Sequence, residues 1–369
     1  MEEKDANIKI APKHYQSMNY LRALAVILIL WCHLVGMRTD TWIGKKAISF
    51  VFTEPLHIIQ NFGALGVSIF FIISGFLMGM SIDSECSKRA ASGGMRGGYR
   101  KMVFLRRALR IYISSFVAIA IFGVAQYVYE EVIGPTYWSQ YGFNEWLQGA
   151  TLFGYFTGVG DKINGTTWFL LPLFYFYILS QIMLWIRSKK GWSFTLNVLQ
   201  AFGIIAPILI KVLYWHEIFR TSYYFEFVYI PISGLIAYAL LMEKEGHFWS
   251  GAARLIVNYI NMVLAFYFLN NNYYSNEPYI ASVIYAFSMF LFFYYNEKNF
   301  KDNKVVSFIV SISFPVYLLQ QTWGSWIMSM TGESQHFTLS LVIGLAVVIV
   351  LSVLHNDLID KVLKKILRA

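Results

Sequence analysis

Long apolar stretches alternate with short polar loops along almost the whole chain. An α-helix needs about 17–25 predominantly apolar residues to cross a bilayer core of about 30 Å. Ten stretches meet this requirement, and each predicts a transmembrane helix. They cover residues 20–37, 62–80, 111–129, 167–186, 193–214, 225–242, 253–270, 278–295, 305–328 and 337–355. The Gly-containing stretch 146–155 is too short to span and is predicted to be an interfacial or re-entrant segment.

Basic residues predict the orientation of this bundle, because short cytoplasmic loops carry the excess of Lys and Arg. With the N-terminus inside, 24 of the 30 Lys and Arg residues fall in cytoplasmic segments. Both termini are therefore predicted to be cytoplasmic. The fold class is an all-α polytopic membrane bundle, with residues 1–369 forming a single membrane domain and no appended soluble domain.

Composition supports a membrane protein and argues against other classes. Hydrophobic residues make up 57% and charged residues 14% of the chain, against roughly 45–50% and about 25% in soluble proteins. The net charge of +9 is spread between apolar segments, so no basic stripe for nucleic acid is expected. Cys32 and Cys86 give neither a disulfide framework nor metal-ligand spacing, and no metal is expected.

The first predicted helix carries two ionisable groups, Arg22 near its cytoplasmic end and His33 deeper in the membrane. Ionisable residues inside a span are costly and are usually functional. Eleven residues separate the two, which places them on one helix stripe about 16 Å apart. This spacing suits a long anionic donor that enters from the cytoplasm. His33 is a candidate general base or transient nucleophile, although a structural histidine and a topology-setting arginine remain the alternatives.

A second basic cluster, Arg106, Arg107 and Arg110, directly precedes the third predicted helix. Arg107 and Arg110 are one turn apart and share a helix face. Guanidinium groups bind phosphate in bidentate fashion, so the pair is a candidate phosphate site. A topology-setting role together with contact with anionic lipid is the alternative interpretation.

Several other polar residues in or near the spans are weaker candidates for supporting roles. Glu54, on the predicted outer side after the first helix, is a candidate partner for His33. Ser74 lies in a small-residue stretch typical of close helix packing. Trp168, Tyr317 and Gln320 are more typical of structural anchors than of ligands.

These motifs together resemble the acyltransferase-3 family of integral membrane O-acyltransferases. The pair Arg22 and His33 is similar to that family's R-x10-H signature, and the stretches 66–76 and 106–111 resemble its second-helix and basic motifs. Residues 167–174 and 313–320 resemble two further motifs. Gln320 stands where many members have histidine, and no acidic residue follows Trp168, so no acid–base role is expected at either position.

The resemblance implies transfer of an acyl group, usually acetyl from acetyl-CoA, to a hydroxyl of a surface polysaccharide such as O-antigen or of a lipid-linked glycan. His33 would be catalytic, while Arg22, Arg106, Arg107 and Arg110 would bind the acyl donor. The expected location is the bacterial inner membrane, surrounded by membrane lipid. We predict that His33 deprotonates the acceptor hydroxyl, with a transient acyl-histidine as a less favoured route.

Two other functions remain open at this point. A transporter or flippase of a lipid-linked glycan would use His33 as a proton relay, although the chain shows no internal repeat. A catalytically inactive sensor or scaffold would not depend on the chemistry of His33.

Overall fold

The described part of the chain is helical and contains no strand, which confirms the all-α prediction. A computed structural model describes residues 15–54, 62–91, 101–151, 153–157, 160–215, 224–242, 248–269 and 276–368. The long helices within these ranges are α1 Gln16–Trp31, α2 Phe62–Ala91, α3 Lys101–Val132, α4 Leu170–Trp215, α5 Tyr229–Leu241, α6 Phe248–Leu269, α7 Asn276–Tyr295, α8 Lys304–Leu319 and α9 Phe337–Arg368.

The lengths of these helices fit a polytopic membrane protein. Among the described residues, 8 helical stretches are long and apolar enough to cross a bilayer. One of them, Gly165–Leu213, has 49 residues, more than twice the roughly 20 that a single crossing needs. Gly191, with φ +85°, breaks it into two helices. With this stretch counted as two crossings and the shorter Phe225–Leu241 as one, the described helices accommodate the ten predicted spans.

Three helices extend beyond the predicted spans. Helix α2 continues to Ala91, α3 begins at Lys101, and α9 continues to Arg368 rather than ending at 355. Hydropathy locates only the part of a helix that lies in lipid. Charged residues such as Lys and Glu are also good helix formers, so the helices extend into the aqueous phase.

Helix α2 lies at the centre of the bundle and packs against α1, α5 and α7. Glycines permit its close approach to α5. A Cβ atom on Gly75 would lie 1.8 Å from the carbonyl oxygen of Pro231, and one on Gly234 would lie 2.0 Å from that of Ile72. Small residues of this kind let helix backbones approach closely in lipid.

Two helices contain π-helical turns at their predicted outer ends. Cys32–Gly36, here called the His33 segment, continues α1, and Gln320–Gly324, the Gln320 segment, continues α8. The two segments contact each other. Single π turns inside helices are frequent at functional sites.

Two carboxylates fix helices at the predicted cytoplasmic side. Glu297 accepts a hydrogen bond from the backbone N–H of Gln16 at 2.7 Å and thereby caps α1. Asp83 accepts hydrogen bonds from Trp192 Nε1 at 2.8 Å and from the Tyr238 hydroxyl at 2.9 Å. The latter contacts join α2, α4 and α5 beside the break at Gly191.

Candidate active site

A cavity of about 550 Å³ lies between α1, α2, α3, α4, α8 and α9. Its lining contains five of the ten candidate residues that the sequence singled out: Arg22, Ser74, Arg107, Arg110 and Tyr317. The remaining lining includes Phe70, Ser114, Phe169, Tyr177, Ser313, Asn356 and Asp360.

The chain directions place the arginines at the cytoplasmic end of this cavity. Helices α1, α3 and α8 run outward from the predicted cytoplasmic side, while α2, the part of α4 before Gly191 and α9 run inward. Arg22 and Arg107 therefore lie near the predicted cytoplasmic side. Phe169 and Tyr317 lie at the opposite end of the cavity, deeper in the predicted membrane region, where their ring centroids are 5.0 Å apart.

Neutral side chains hold Arg107 in the cavity. Its guanidinium donates to Ser81 Oγ at 3.0 Å and lies 3.7 Å from Met78 Sδ. Neither partner carries a charge, so the positive charge of Arg107 remains available to a ligand.

The other two arginines differ in their partners. Arg110 forms an ion pair with Asp360 of α9, and both side chains are about half exposed. No ion pair or hydrogen bond joins Arg22 to another described residue, and its charge and that of Arg107 repel each other. Three arginines face one carboxylate, which leaves the cavity with an excess of positive charge. Such a cavity favours an anionic ligand.

Two further residues that the sequence singled out, Arg106 and Ser74, lie near the three cavity arginines in the chain or in the fold. The backbone of Arg106 is helical, but its side chain lies outside the described residues. Ser74 is half-buried on the α2 wall of the cavity. Its hydroxyl is thus accessible to a molecule in the cavity.

His33 occupies the second position of the His33 segment, where its side chain is half-buried. Its Nδ1 atom is inaccessible to solvent and has no hydrogen-bond partner among the described residues. Gln320, fully buried on the contacting Gln320 segment, has neither its amide nitrogen nor its oxygen bonded within the same part of the chain. Unsatisfied buried polar groups are costly, so this pair of segments is suited to receiving a polar ligand.

The helix face that was predicted to carry both Arg22 and His33 meets the cavity only at its predicted cytoplasmic end. Arg22 is part of the lining, whereas His33 is not. Tyr317, which lines the cavity, precedes the Gln320 segment on α8 by three residues.

Tyr317 is held by a short loop before α4. Its hydroxyl donates to the carbonyl oxygen of Thr166 at 2.7 Å. Asn164 in the same loop donates to the carbonyl oxygen of Leu318 at 2.9 Å and accepts from the Thr166 hydroxyl at 2.7 Å. Sequence reasoning missed Asn164, although its position before glycine is a recognisable turn signal.

Trp168 and Glu54 lie outside the cavity. Trp168 is buried and stacks on Tyr224, with ring centroids 5.5 Å apart, which fits a packing role. Glu54 is exposed at the end of the helical turn Ser49–Thr53, and no hydrogen bond or ion pair links it to His33.

Helix α9 supplies a cavity wall that sequence reasoning missed. His355 Nε2 lies 3.0 Å from the carbonyl oxygen of Ser114, and Asn356 and Asp360 face the cavity. The prediction ended the last span at residue 355, but α9 continues to Arg368. The four-residue spacing of Asn356 and Asp360 is the signal that identifies one helix face.

No cluster suited to a metal ion is present in the ranges that the structure describes. Groups of three or more His, Cys, Asp or Glu side chains with that geometry do not occur there. Cys32 is buried and Cys86 half-buried, and neither forms a disulfide with another described residue.

The fold and the cavity define a multi-pass membrane protein with a cationic site at one face. A family model described as an acyltransferase domain, acyltransferase-3, matches residues 15–357. The chain therefore belongs to the acyltransferase-3 family and is a membrane acyltransferase. No curated protein and no solved structure gives a significant match to the chain.

Proposed function

We propose that this protein transfers an acyl group, typically acetyl, from acyl-CoA to a hydroxyl of a cell-envelope polysaccharide or lipid-linked glycan. The donor binds in the cytoplasmic cavity, and His33 is the general base. The protein would act in the bacterial inner membrane. The observation that carries the proposal is the excess positive charge of the cavity. One of its arginines, Arg22, lies on α1, the helix that continues into the His33 segment, where the imidazole has an unsatisfied nitrogen.

The cavity suits the phosphate groups of a CoA donor. Its volume of about 550 Å³ lies within the roughly 300–1,000 Å³ typical of small-molecule sites. Arg22 and Arg107, which have no carboxylate partner, would bind phosphate oxygens. The apolar side chains further in, such as Leu173 and Phe169, would contact the uncharged arm that carries the thioester.

The reaction requires one proton acceptor near the thioester. His33 would take the proton of the acceptor hydroxyl while the hydroxyl oxygen attacks the thioester carbonyl carbon. The C–S bond then breaks, an ester forms, and the imidazolium returns the proton to the CoA thiolate. A positioned base of this kind contributes about 10²–10⁴-fold to the rate.

Gln320 has a role that its chemistry permits even though it cannot act as an acid or base. Its buried amide N–H lacks a partner in the described structure and would stabilise the negative oxygen of the tetrahedral intermediate. Preorganised donors of this type contribute about 10²–10³-fold to turnover.

The test uses the full-length protein in proteoliposomes with labelled acetyl-CoA at the cytoplasmic face and native-host glycan as acceptor. We expect His33→Asn to lose at least about 100-fold in label transferred at equal protein level. Transfer by the wild type should fall at acidic pH, because a protonated imidazole cannot accept a proton. Arg254→Gln, a cytoplasmic arginine bonded to Asn197 outside the cavity, is the control.

Two results would contradict the proposal. Transfer by His33→Asn at the wild-type rate would remove His33 from the chemistry. Glycan movement across the membrane without acyl transfer, in wild-type protein, would support the transporter alternative instead. Size-exclusion profiles of each variant exclude misfolding as the cause of a loss.

A further inference from the structure

A second pocket lies at the predicted outer side of the membrane, away from the arginine cavity. It has a volume of about 710 Å³ and lies between the chain that follows the His33 segment and the turn that precedes α9. Polar side chains dominate its wall: Arg38, Thr41, Trp42, Glu333, His336 and Thr338.

An ion pair with two unsatisfied atoms forms one side of this pocket. Arg38 Nη1 lies 2.7 Å from Glu333 Oε1, and Arg38 Nη2 donates to the carbonyl oxygen of Ser325 at 2.9 Å. Arg38 Nε and Glu333 Oε2 are inaccessible to solvent and have no hydrogen-bond partner in the described structure. The pair thus has one unused donor and one unused acceptor on neighbouring side chains.

A hydroxyl group matches this combination, because it donates one hydrogen bond and accepts others. An additional anion would meet Glu333, and an additional cation would meet Arg38. Nearby charges outside the pocket compensate one another. Lys45 lies 2.6 Å from Asp40 Oδ1, and this hydrogen bond holds the pKa of Asp40 below its ordinary value. The pocket therefore favours an uncharged, hydroxyl-rich ligand.

Trp42 gives the pocket a fixed aromatic wall. Its Nε1 donates to Thr338 Oγ1 at 3.0 Å, and its ring lies 5.3 Å from that of Phe337 and 6.1 Å from that of Trp31. An aromatic wall combined with a few positioned polar groups is typical of small-molecule sites. The apolar C–H face of a sugar ring packs against such a wall while its hydroxyls bond to the polar groups.

The pocket continues directly from the His33 segment. Arg38 follows His33 by five residues, about 7–8 Å at the helical rise per residue. The backbone N–H of Met37 donates to the carbonyl oxygen of Cys32 at 3.0 Å, which closes the π turn of the His33 segment, and Arg38 follows in a tight turn. A ligand in the pocket would lie on the outer side of the imidazole, opposite the donor cavity.

We propose that this outer pocket binds a neutral sugar unit of the acceptor, with Arg38 and Glu333 sharing one of its hydroxyls. The proposal rests on the proposed acyl transfer for the identity of the ligand as acceptor. It assigns the acceptor to the outer face of the membrane and its recognition to residues that follow His33 along the chain.

The first experiment measures binding without catalysis. Thr41, an exposed residue of the pocket, is replaced by cysteine and labelled from outside with a membrane-impermeant maleimide. We expect neutral methyl hexosides to slow labelling of Thr41→Cys several-fold, and hexuronates to have no such effect. Gln140→Cys, exposed on a predicted outer loop away from the pocket, should be labelled at the same rate in all cases.

Two further substitutions test the hydroxyl contact. Glu333→Gln and Arg38→Lys, each combined with Thr41→Cys, should raise the sugar concentration needed for protection about tenfold, the effect of losing one hydrogen bond to a charged group. Arg38→Lys removes the Nε donor but keeps the positive charge beside Glu333, so the ion pair with Glu333 is retained. Protection that is unchanged in both variants would overturn the assignment of the pair.

The possible failures are distinguishable. Acyl transfer by wild-type protein, without protection of Thr41→Cys by any neutral sugar, would overturn this inference and leave the proposed function intact. Equal or stronger protection by hexuronates would also overturn it, because the ligand would then be anionic. Protection by neutral sugars without acyl transfer would support the pocket and contradict the proposed function.

Discussion

The cytoplasmic cavity and the outer pocket lie at opposite ends of the same helix and use arginine differently. In the cavity, three arginines face the single carboxylate of Asp360. In the outer pocket, Arg38 is matched by Glu333 at 2.7 Å. The first arrangement keeps a net charge for an anionic ligand, whereas the second cancels the charge and keeps only hydrogen-bonding atoms.

The difference shows that an arginine near a pocket does not by itself indicate an anion site. The partner of its guanidinium decides whether the positive charge remains available to an anionic ligand. Ser81 and Met78 position Arg107 without neutralising it. Glu333 both positions and neutralises Arg38. Three expected outcomes test this contrast between a charged donor site and a neutral acceptor site.

The largest effect is expected from Arg107→Gln. Loss of one charged hydrogen-bonding partner for phosphate should raise the KM for acyl-CoA about 10- to 100-fold, since such bonds contribute about 1.5–3 kcal/mol. The KM for the glycan should stay unchanged, because Arg107 lines the cytoplasmic cavity and not the outer pocket. Steady-state kinetics in proteoliposomes, with Arg254→Gln as control, measures both constants. A rise confined to the glycan KM would reverse the assignment of the two sites.

Ionic strength should separate the two sites in the wild-type protein. Raising salt from about 0.1 to 1 M shortens the Debye length from about 10 to 3 Å and should raise the acyl-CoA KM several-fold. Protection of Thr41→Cys by neutral hexosides should be insensitive to the same change. Equal salt dependence of both measurements would show that the outer pocket also recognises charge.

The smallest effect is expected from Asp360→Asn. Asp360 pairs with Arg110 at the cavity wall, and both side chains are about half exposed. A pair of this kind contributes at most about 1 kcal/mol, so releasing Arg110 for phosphate should lower the acyl-CoA KM up to about fivefold. A raised KM would mean instead that Asp360 positions Arg110 for the donor.

The grouping of arginines in the cytoplasmic cavity was predictable because these residues follow local helical spacing. Arg107 and Arg110 were expected to share a face from their three-residue separation, and both line the cavity. The small residues around Ser74 indicated close packing, and the contact of Gly75 with Pro231 has that character. The role of His33 in the chemistry stays a prediction.

Other parts of the site depend on contacts between residues far apart in the chain. Asp360 meets Arg110 across 250 positions, and Glu333 meets Arg38 across 295. The aromatic contact in the cavity wall likewise joins Phe169, just before α4, to Tyr317 of α8. No spacing rule within one helix predicts which helices will be neighbours in the bundle.

The sequence alone determined that this protein is a helical membrane bundle, which residues share a helix face, and through its motifs the family. Hydrophobic length and a period of 3.6 residues are local properties, and they are written directly in the order of the residues. Only the tertiary structure decided that one arginine cluster is left charged and that Arg38 is neutralised. Charge compensation depends on which side chains meet across the bundle, and packing of helices far apart in sequence sets those meetings.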